Sequence, residues 1–276
     1  MEVLLNMLKQ RIFSSFGLWS TLLAVLFFFG ISGAVGLIIV VNALAQCEFS
    51  KLLKPPFRQS IFDIALGLLF LLSYYFCSTG NHCQDLTYAF ALIVIFNWSI
   101  FFGKTALAFL TSLFCFWYMP INLHFFLKIP ELYVWESSTS LAVVIWVVLI
   151  TKLTDVGGFF IGCAVGKHHL APQVSPKKTW EGVGGGMLFA LIGNILYFIC
   201  FSKYLPDAFS FSKSLLFTLI MAWGSVVSDL LESLLKRQIQ TKDSGRSIPG
   251  IGGVLDLIDS LLLNAPLAYI LFKNFV

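Results

Sequence analysis

Charge is scarce in this chain: 276 residues carry 18 Lys or Arg and 14 Asp or Glu, while 58% are apolar. With a mean hydropathy of +0.87, an ordinary soluble protein is excluded. Cysteine is sparse too. None of the six stands in a CxxC pair, so neither a zinc site nor a disulfide framework is indicated. Cys77 and Cys83 share one expected outside loop, which leaves a pairing open without pointing to it. His82, His124, His168 and His169 lack metal-ligand spacing, and a solvated or interfacial place is expected for each. Repeats and low-complexity tracts are missing. So is a Ser or Cys nucleophile elbow, and with it that kind of covalent catalysis.

What the chain does have is long apolar runs. A hydrocarbon core about 30 Å thick takes about 20 apolar residues per helix. Nine candidate spans follow, near 12–30, 32–49, 61–77, 86–102, 105–120, 134–151, 183–201, 212–231 and 254–272. The first two are joined tightly at Gly30, and the fifth stops at Pro120. The expected fold is all-α, a polytopic integral membrane protein with about nine transmembrane helices. The first run is too long, and too soon followed by a second, for a cleaved signal peptide. With the N-terminus inside, fourteen Lys and Arg residues fall on inner segments, Lys152 among them, leaving Lys128, Lys203, Lys213 and Lys273. The positive-inside rule favours that orientation. The net charge of +4 then reflects topology and an attraction to anionic lipid head groups, with no indication of nucleic acid. Residues 1–150 read as a transmembrane scaffold and 151–276 as the catalytic region of one continuous membrane domain. Of the scaffold acids, Glu48 reads more readily as a solvated helix end than as a helper, and Asp63 equally as a helix N-terminal charge.

Nine of the charged residues gather between Ser228 and Asp259, and ionisable groups at a membrane are functional candidates by default. Asp229, Glu232 and Lys236 lie at i, i+3 and i+7, one face of a helix, and Asp256 and Asp259 repeat the i, i+3 spacing. Spans eight and nine meet one leaflet, so these acids converge, and converging carboxylates repel unless a cation lies between them. Hard oxygen ligands suit Mg²⁺ together with substrate phosphates. Asp155, backed by Gly157 and Gly158, is a candidate further arm, and Asp243 lies in the connector between the two spans. For any single acid a helix end facing water is the plainer reading; four on adjoining helix ends favour the metal.

Cations surround the acids: Lys236, Arg237, Lys242 and Arg246. Gly252 and Gly253 let backbone amides approach a phosphate at a helix start. Lys177 and Lys178 arrive in the segment SPKKTWEG, Ser175 to Gly182. There Ser175 and Thr179 suit capping or a phosphate contact, and Pro176 suits a first helical position. Gly184, Gly185 and Gly186 suit close helix packing. Together these features describe a metal-assisted displacement at phosphorus, on a phosphate compound at a membrane surface.

The residues also resemble a family. Ser233-Leu234-Leu235-Lys236-Arg237, Lys242-Asp243-Ser244-Gly245, Ile248-Pro249-Gly250, Gly252-Gly253-Val254, Asp256 and Asp259 are similar to the C-terminal signature of phosphatidate cytidylyltransferases, or CDP-diacylglycerol synthases. Asp155-Val156-Gly157-Gly158, Gly166-Lys167 and Ser175 to Gly182 resemble that family's upstream segments in the same order, so the likeness is detailed over residues 150–265. Two positions depart from the pattern: Ile251 stands where His is usual, and Leu257 where Arg is usual. The resemblance implies a multi-pass inner-membrane nucleotidyltransferase of phospholipid biosynthesis with its site at the cytoplasmic face. It would join CTP and phosphatidic acid into CDP-diacylglycerol and pyrophosphate. The resemblance further implies Mg²⁺, with a monovalent cation such as K⁺, and a homodimer among membrane lipids. By position it assigns metal to Asp229, Asp256 and Asp259, and catalysis to these with Lys236. Substrate phosphates go to Ser175, Lys177, Lys178, Arg237 and Lys242, to which the charge and glycine pattern above adds Arg246, Gly252 and Gly253. Two other readings compete: a CTP-dependent kinase of a polyprenol or dolichol-like lipid, which releases CDP, and a transporter, for which midplane sites and repeats are the usual signs.

Overall fold

The computed structural model describes residues 2–53, 55–76, 88, 91–95, 106–133, 138–241, 245, 247–248 and 252–276. Seven helices among the described residues are long and apolar enough to cross a membrane. They account for eight of the nine expected spans, because 12–30 and 32–49 fall within one helix, α1 (Glu2–Leu53). Gly30 sits inside it at φ 56°, ψ −137°, a left-handed conformation open to a residue without Cβ. The expected span 86–102 lies mostly outside the described residues.

The expected stop at Pro120 is corrected. After α2 (Phe57–Phe76) and α3 (Ala106–Phe116), the chain passes through Pro120 as a π-helical turn, Trp117–Ile121, into α4 (Asn122–Glu131). A proline ring collides with the carbonyl four residues back in an α-helix; the wider π turn relieves that collision. The Asn122 amide donates to the Trp117 and Tyr118 carbonyls at 2.8 and 3.0 Å, satisfying acceptors around the turn.

The remaining elements are α5 (Ser138–Val165), a hairpin of β1 (His169–Ala171) and β2 (Ser175–Thr179), then α6 (Trp180–Phe201), α7 (Phe211–Gln238) and α8 (Val254–Phe275). The hairpin corrects the reading of Pro176 as a first helical residue. Ser175 to Thr179 form an antiparallel strand in which His169 pairs with Thr179 and Ala171 with Ser175. Proline is tolerated on the edge of a two-stranded ribbon. Thr179 is the actual cap, its hydroxyl accepting from Gly182 N–H at 3.1 Å.

The chain forms two compact units. One comprises Met1–Leu127 with Asp243–Leu257, the other Lys128–Lys242 with Ile258–Val276. The first has an aromatic core in which His124 is buried against the rings of Phe70, Tyr74 and Tyr88. That corrects the solvated half of the expectation for this histidine, which was solvated or interfacial: its two ring nitrogens meet the Tyr88 hydroxyl and the Ile121 carbonyl. His168 is exposed beside Glu181.

In the second unit α5 and α6 pack through glycine. A Cβ on Gly157 would stand 2.6 Å from the Gly185 carbonyl oxygen, and one on Gly185 2.3 Å from Ile161 Cβ. Without a water-driven hydrophobic term, membrane helices associate through such close backbone approach and buried hydrogen bonds. Trp146 donates to Asn194 at 2.8 Å, and Asn264 bridges Thr151 and Ser225 at 2.9 and 2.7 Å.

Candidate active site

The second unit brings together three helices and one strand. Asp229 and Glu232, one turn apart on α7, and Asp259 on α8 present carboxylate oxygens within 4.8 Å of one another. Glu232 and Asp259 are buried. Like charges at that range repel by on the order of 3 kcal/mol per pair at an effective dielectric near 20, so three ionised carboxylates need compensation.

Lysines supply part of it. Lys178 from β2 lies 2.6 Å from Asp229, and Lys236, one turn further along α7, lies 3.0 Å from Glu232. Asp259 accepts from the Ser260 N–H at 2.6 Å, and no lysine or arginine nitrogen lies within ion-pair distance of it among the described residues. A fourth carboxylate, Asp155 on α5, accepts from Lys152 at 3.0 Å and from the Ser260 hydroxyl at 2.7 Å; Lys152 also donates to that hydroxyl at 2.8 Å. Four carboxylates and three ammonium groups leave one formal negative charge. That balance, with a hard-oxygen donor set, suits a divalent cation whose remaining ligands come from an anionic substrate.

Elsewhere in this unit Arg237 donates through Nε to the Val174 carbonyl at 3.2 Å, tying the end of α7 to the hairpin. Ser175 pairs in the hairpin, and Lys177 is exposed beside it. Gly185 and Gly186 face α5, whereas a Cβ on Gly184 would meet nothing within 4 Å.

Asp256 belongs to the other unit. It sits in the first turn of α8, where its carboxylate accepts from Gly253 N–H at 2.7 Å, the reach-back half of a capping box. Gly252, at φ 129°, makes room for that same carboxylate, since a Cβ there would stand 2.5 Å from it. The glycine pair expected to cradle phosphate thus packs around acids of the protein itself. Glu48, expected as a solvated helix end, is buried instead: its carboxylate accepts from Leu255 N–H at 2.9 Å and from the Ser247 hydroxyl. Lys242, Asp243, Arg246 and Ile251 lie outside the described residues.

Sequence reasoning did not single out Lys152, Ser260 or the placement of Glu48. Lys152, counted with the inner segments by charge, lies inside α5, facing Asp155. Its signal was available as i, i+3 spacing to Asp155, whereas Ser260 and Glu48 carry none.

The profile described as the cytidylyltransferase family matches residues 9–275. The chain belongs to that family. It is 30% identical over 283 residues to a protein of Haemophilus influenzae named phosphatidate cytidylyltransferase, covering 94% of this chain and 96% of the relative. A protein of the same name from Staphylococcus aureus is 30% identical over 251 residues, covering 87% and 91%. One from Thermotoga maritima is 37% identical over 171 residues, covering 62% and 60%. Family membership and the apolar helices together make this a multi-pass membrane enzyme of the nucleotidyltransferase class.

Proposed function

We infer that this chain is a phosphatidate cytidylyltransferase, making CDP-diacylglycerol and pyrophosphate from CTP and phosphatidic acid. The supporting observation is the meeting of three carboxylates within 4.8 Å, bordered by lysines, in a chain that matches the cytidylyltransferase family over residues 9–275. A phosphate oxygen of phosphatidic acid attacks the α-phosphorus of CTP. The bond from that phosphorus to the bridging oxygen breaks, and pyrophosphate leaves with the electron pair.

In this proposal Asp229, Glu232 and Asp259 hold Mg²⁺, which when bound neutralises charge on the nucleotide phosphates and the departing pyrophosphate. Lys178 and Lys236 then turn part of their charge toward phosphate oxygens. Asp155 and Lys152 orient the start of the site through Ser260. The metal role assigned to Asp256, a monovalent cation such as K⁺, phosphate contacts from Ser175, Lys177 and Arg237, and a homodimer belong to the same proposal. So does placement of the site at the cytoplasmic face of the inner membrane, where a water-soluble nucleotide meets a lipid head group.

The test is incubation of purified protein in lipid nanodiscs with labelled CTP, phosphatidic acid and Mg²⁺. CDP-diacylglycerol and pyrophosphate are expected in equal amounts. Release of CDP with a phosphorylated lipid would establish lipid kinase chemistry instead.

A further inference from the structure

Glu48, outside the cluster described above, is only 3% exposed near the end of α1. A buried carboxylate is tolerated only where donors meet it. Here they come from one point of the last connector and from the helix after it: the Ser247 hydroxyl on one oxygen and Leu255 N–H on the other. Leu255 is the second residue of α8, so its amide is among those a helix start leaves without an internal acceptor. The helix dipole adds to the attraction.

The surroundings are shaped to this carboxylate. A Cβ on Gly245 would lie 2.6 Å from it, and one on Gly253 2.4 Å. Ile248 and Gly252 exchange backbone hydrogen bonds at 2.8 and 3.0 Å, closing the connector, and Asp256 closes on Gly253 N–H. One side chain from the first helix therefore gathers Gly245, Ser247, Gly253 and Leu255 around the turn that carries Asp256.

We propose that Glu48 is a positioning residue for the reaction: it fixes Gly245, Ser247 and the turn from Gly252 to Asp256, and occupies the anion place at the start of α8. Substrate phosphate then binds elsewhere than on the Leu255 amide. Glu48 acts through the backbone it holds, without touching substrate. The inference rests on the cytidylyltransferase reading for its activity assay.

The experiment uses the full chain in nanodiscs, comparing wild type with Glu48→Ala, Glu48→Gln and Ser247→Ala. It measures kcat, the KM for CTP and for phosphatidic acid, and amide hydrogen exchange over residues 252–257. Glu48→Ala is expected to lower kcat by about 10²-fold with each KM within about threefold of wild type, as misplacement of reacting groups does. Exchange at the start of α8 should quicken by at least about tenfold. Glu48→Gln keeps an acceptor oxygen for Leu255 and should recover about a tenth of wild-type kcat or more. A folded Glu48→Ala protein with wild-type kcat, or one whose KM for CTP rises while kcat holds, overturns the proposal. If Glu48→Ala does not fold, the Ser247→Ala protein is judged by the same criteria. If wild type makes no CDP-diacylglycerol, the reading of activity fails by itself; the exchange comparison then decides on Glu48, and unchanged exchange overturns it.

Discussion

At the scale of single residues, the acidic trio and its lysines set opposing demands. Removing one carboxylate lowers the repulsion among the others but also removes a ligand oxygen. In a site that depends on a cation the second effect wins, because several kcal/mol of charge stabilisation come from the metal. Asp229→Asn and Asp259→Asn are each expected to cut CDP-diacylglycerol formation by about 10²-fold or more while membrane insertion is retained. Divalent-cation binding to the resting protein, followed by calorimetry, should weaken in parallel. Wild-type cation affinity in Asp229→Asn and Asp259→Asn would separate the trio from the metal. Asp256→Asn gives the contrast. Loss of activity with unchanged cation affinity would mark Asp256 as a cap that shapes the connector; loss of both would support the metal role expected for it. The departures at Ile251 and Leu257 are open to a direct check, in which Ile251→His with Leu257→Arg either raises turnover or leaves it unchanged. An unchanged rate makes both side chains dispensable here.

Among the elements, the pairing of α5 with α6 does most to place the site. These helices carry Lys152 and Asp155 on one side and follow directly from Lys178 on the other. Their approach depends on glycine where they touch. A methyl group on Gly185 would stand 2.3 Å from Ile161 Cβ, closer than packed carbon atoms approach, so the helices must separate. Gly185→Ala should cost about 1–3 kcal/mol, in the range of overpacked cores, seen as a lower unfolding midpoint in detergent. Gly184→Ala, where nothing lies within 4 Å, serves as the control and should leave that midpoint unchanged. The glycine run was readable in the sequence as a packing device. Which of its members face the neighbouring helix was not, because helix rotation follows from partners rather than from the run itself. The hairpin before α6 was unreadable for a related reason. Pro176-Lys177-Lys178 has neither strand alternation nor strand propensity, and only the pairing with residues His169 to Ala171 makes it a strand.

For the whole molecule, orientation in the bilayer is the property to measure. In the proposed orientation the hairpin is cytoplasmic, and the turn between α6 and α7 is on the other side. In a background with the native cysteines replaced, Asp207→Cys should react with an impermeant thiol reagent on intact cells, while Gln173→Cys should react only after permeabilisation. The opposite pattern would reverse the topology. The sequence by itself determined the membrane class, most of the spans, the family resemblance and the acids at the ends of α7 and α8, since hydrocarbon thickness and the cost of buried charge write those features into composition and spacing. Which acid meets which partner was decided only by tertiary structure. Glu48 finds Ser247 and Leu255 about two hundred residues away, and Lys152 finds Ser260. No local pattern encodes such pairings, because a carboxylate takes whichever donors the packed backbone brings within about 3 Å.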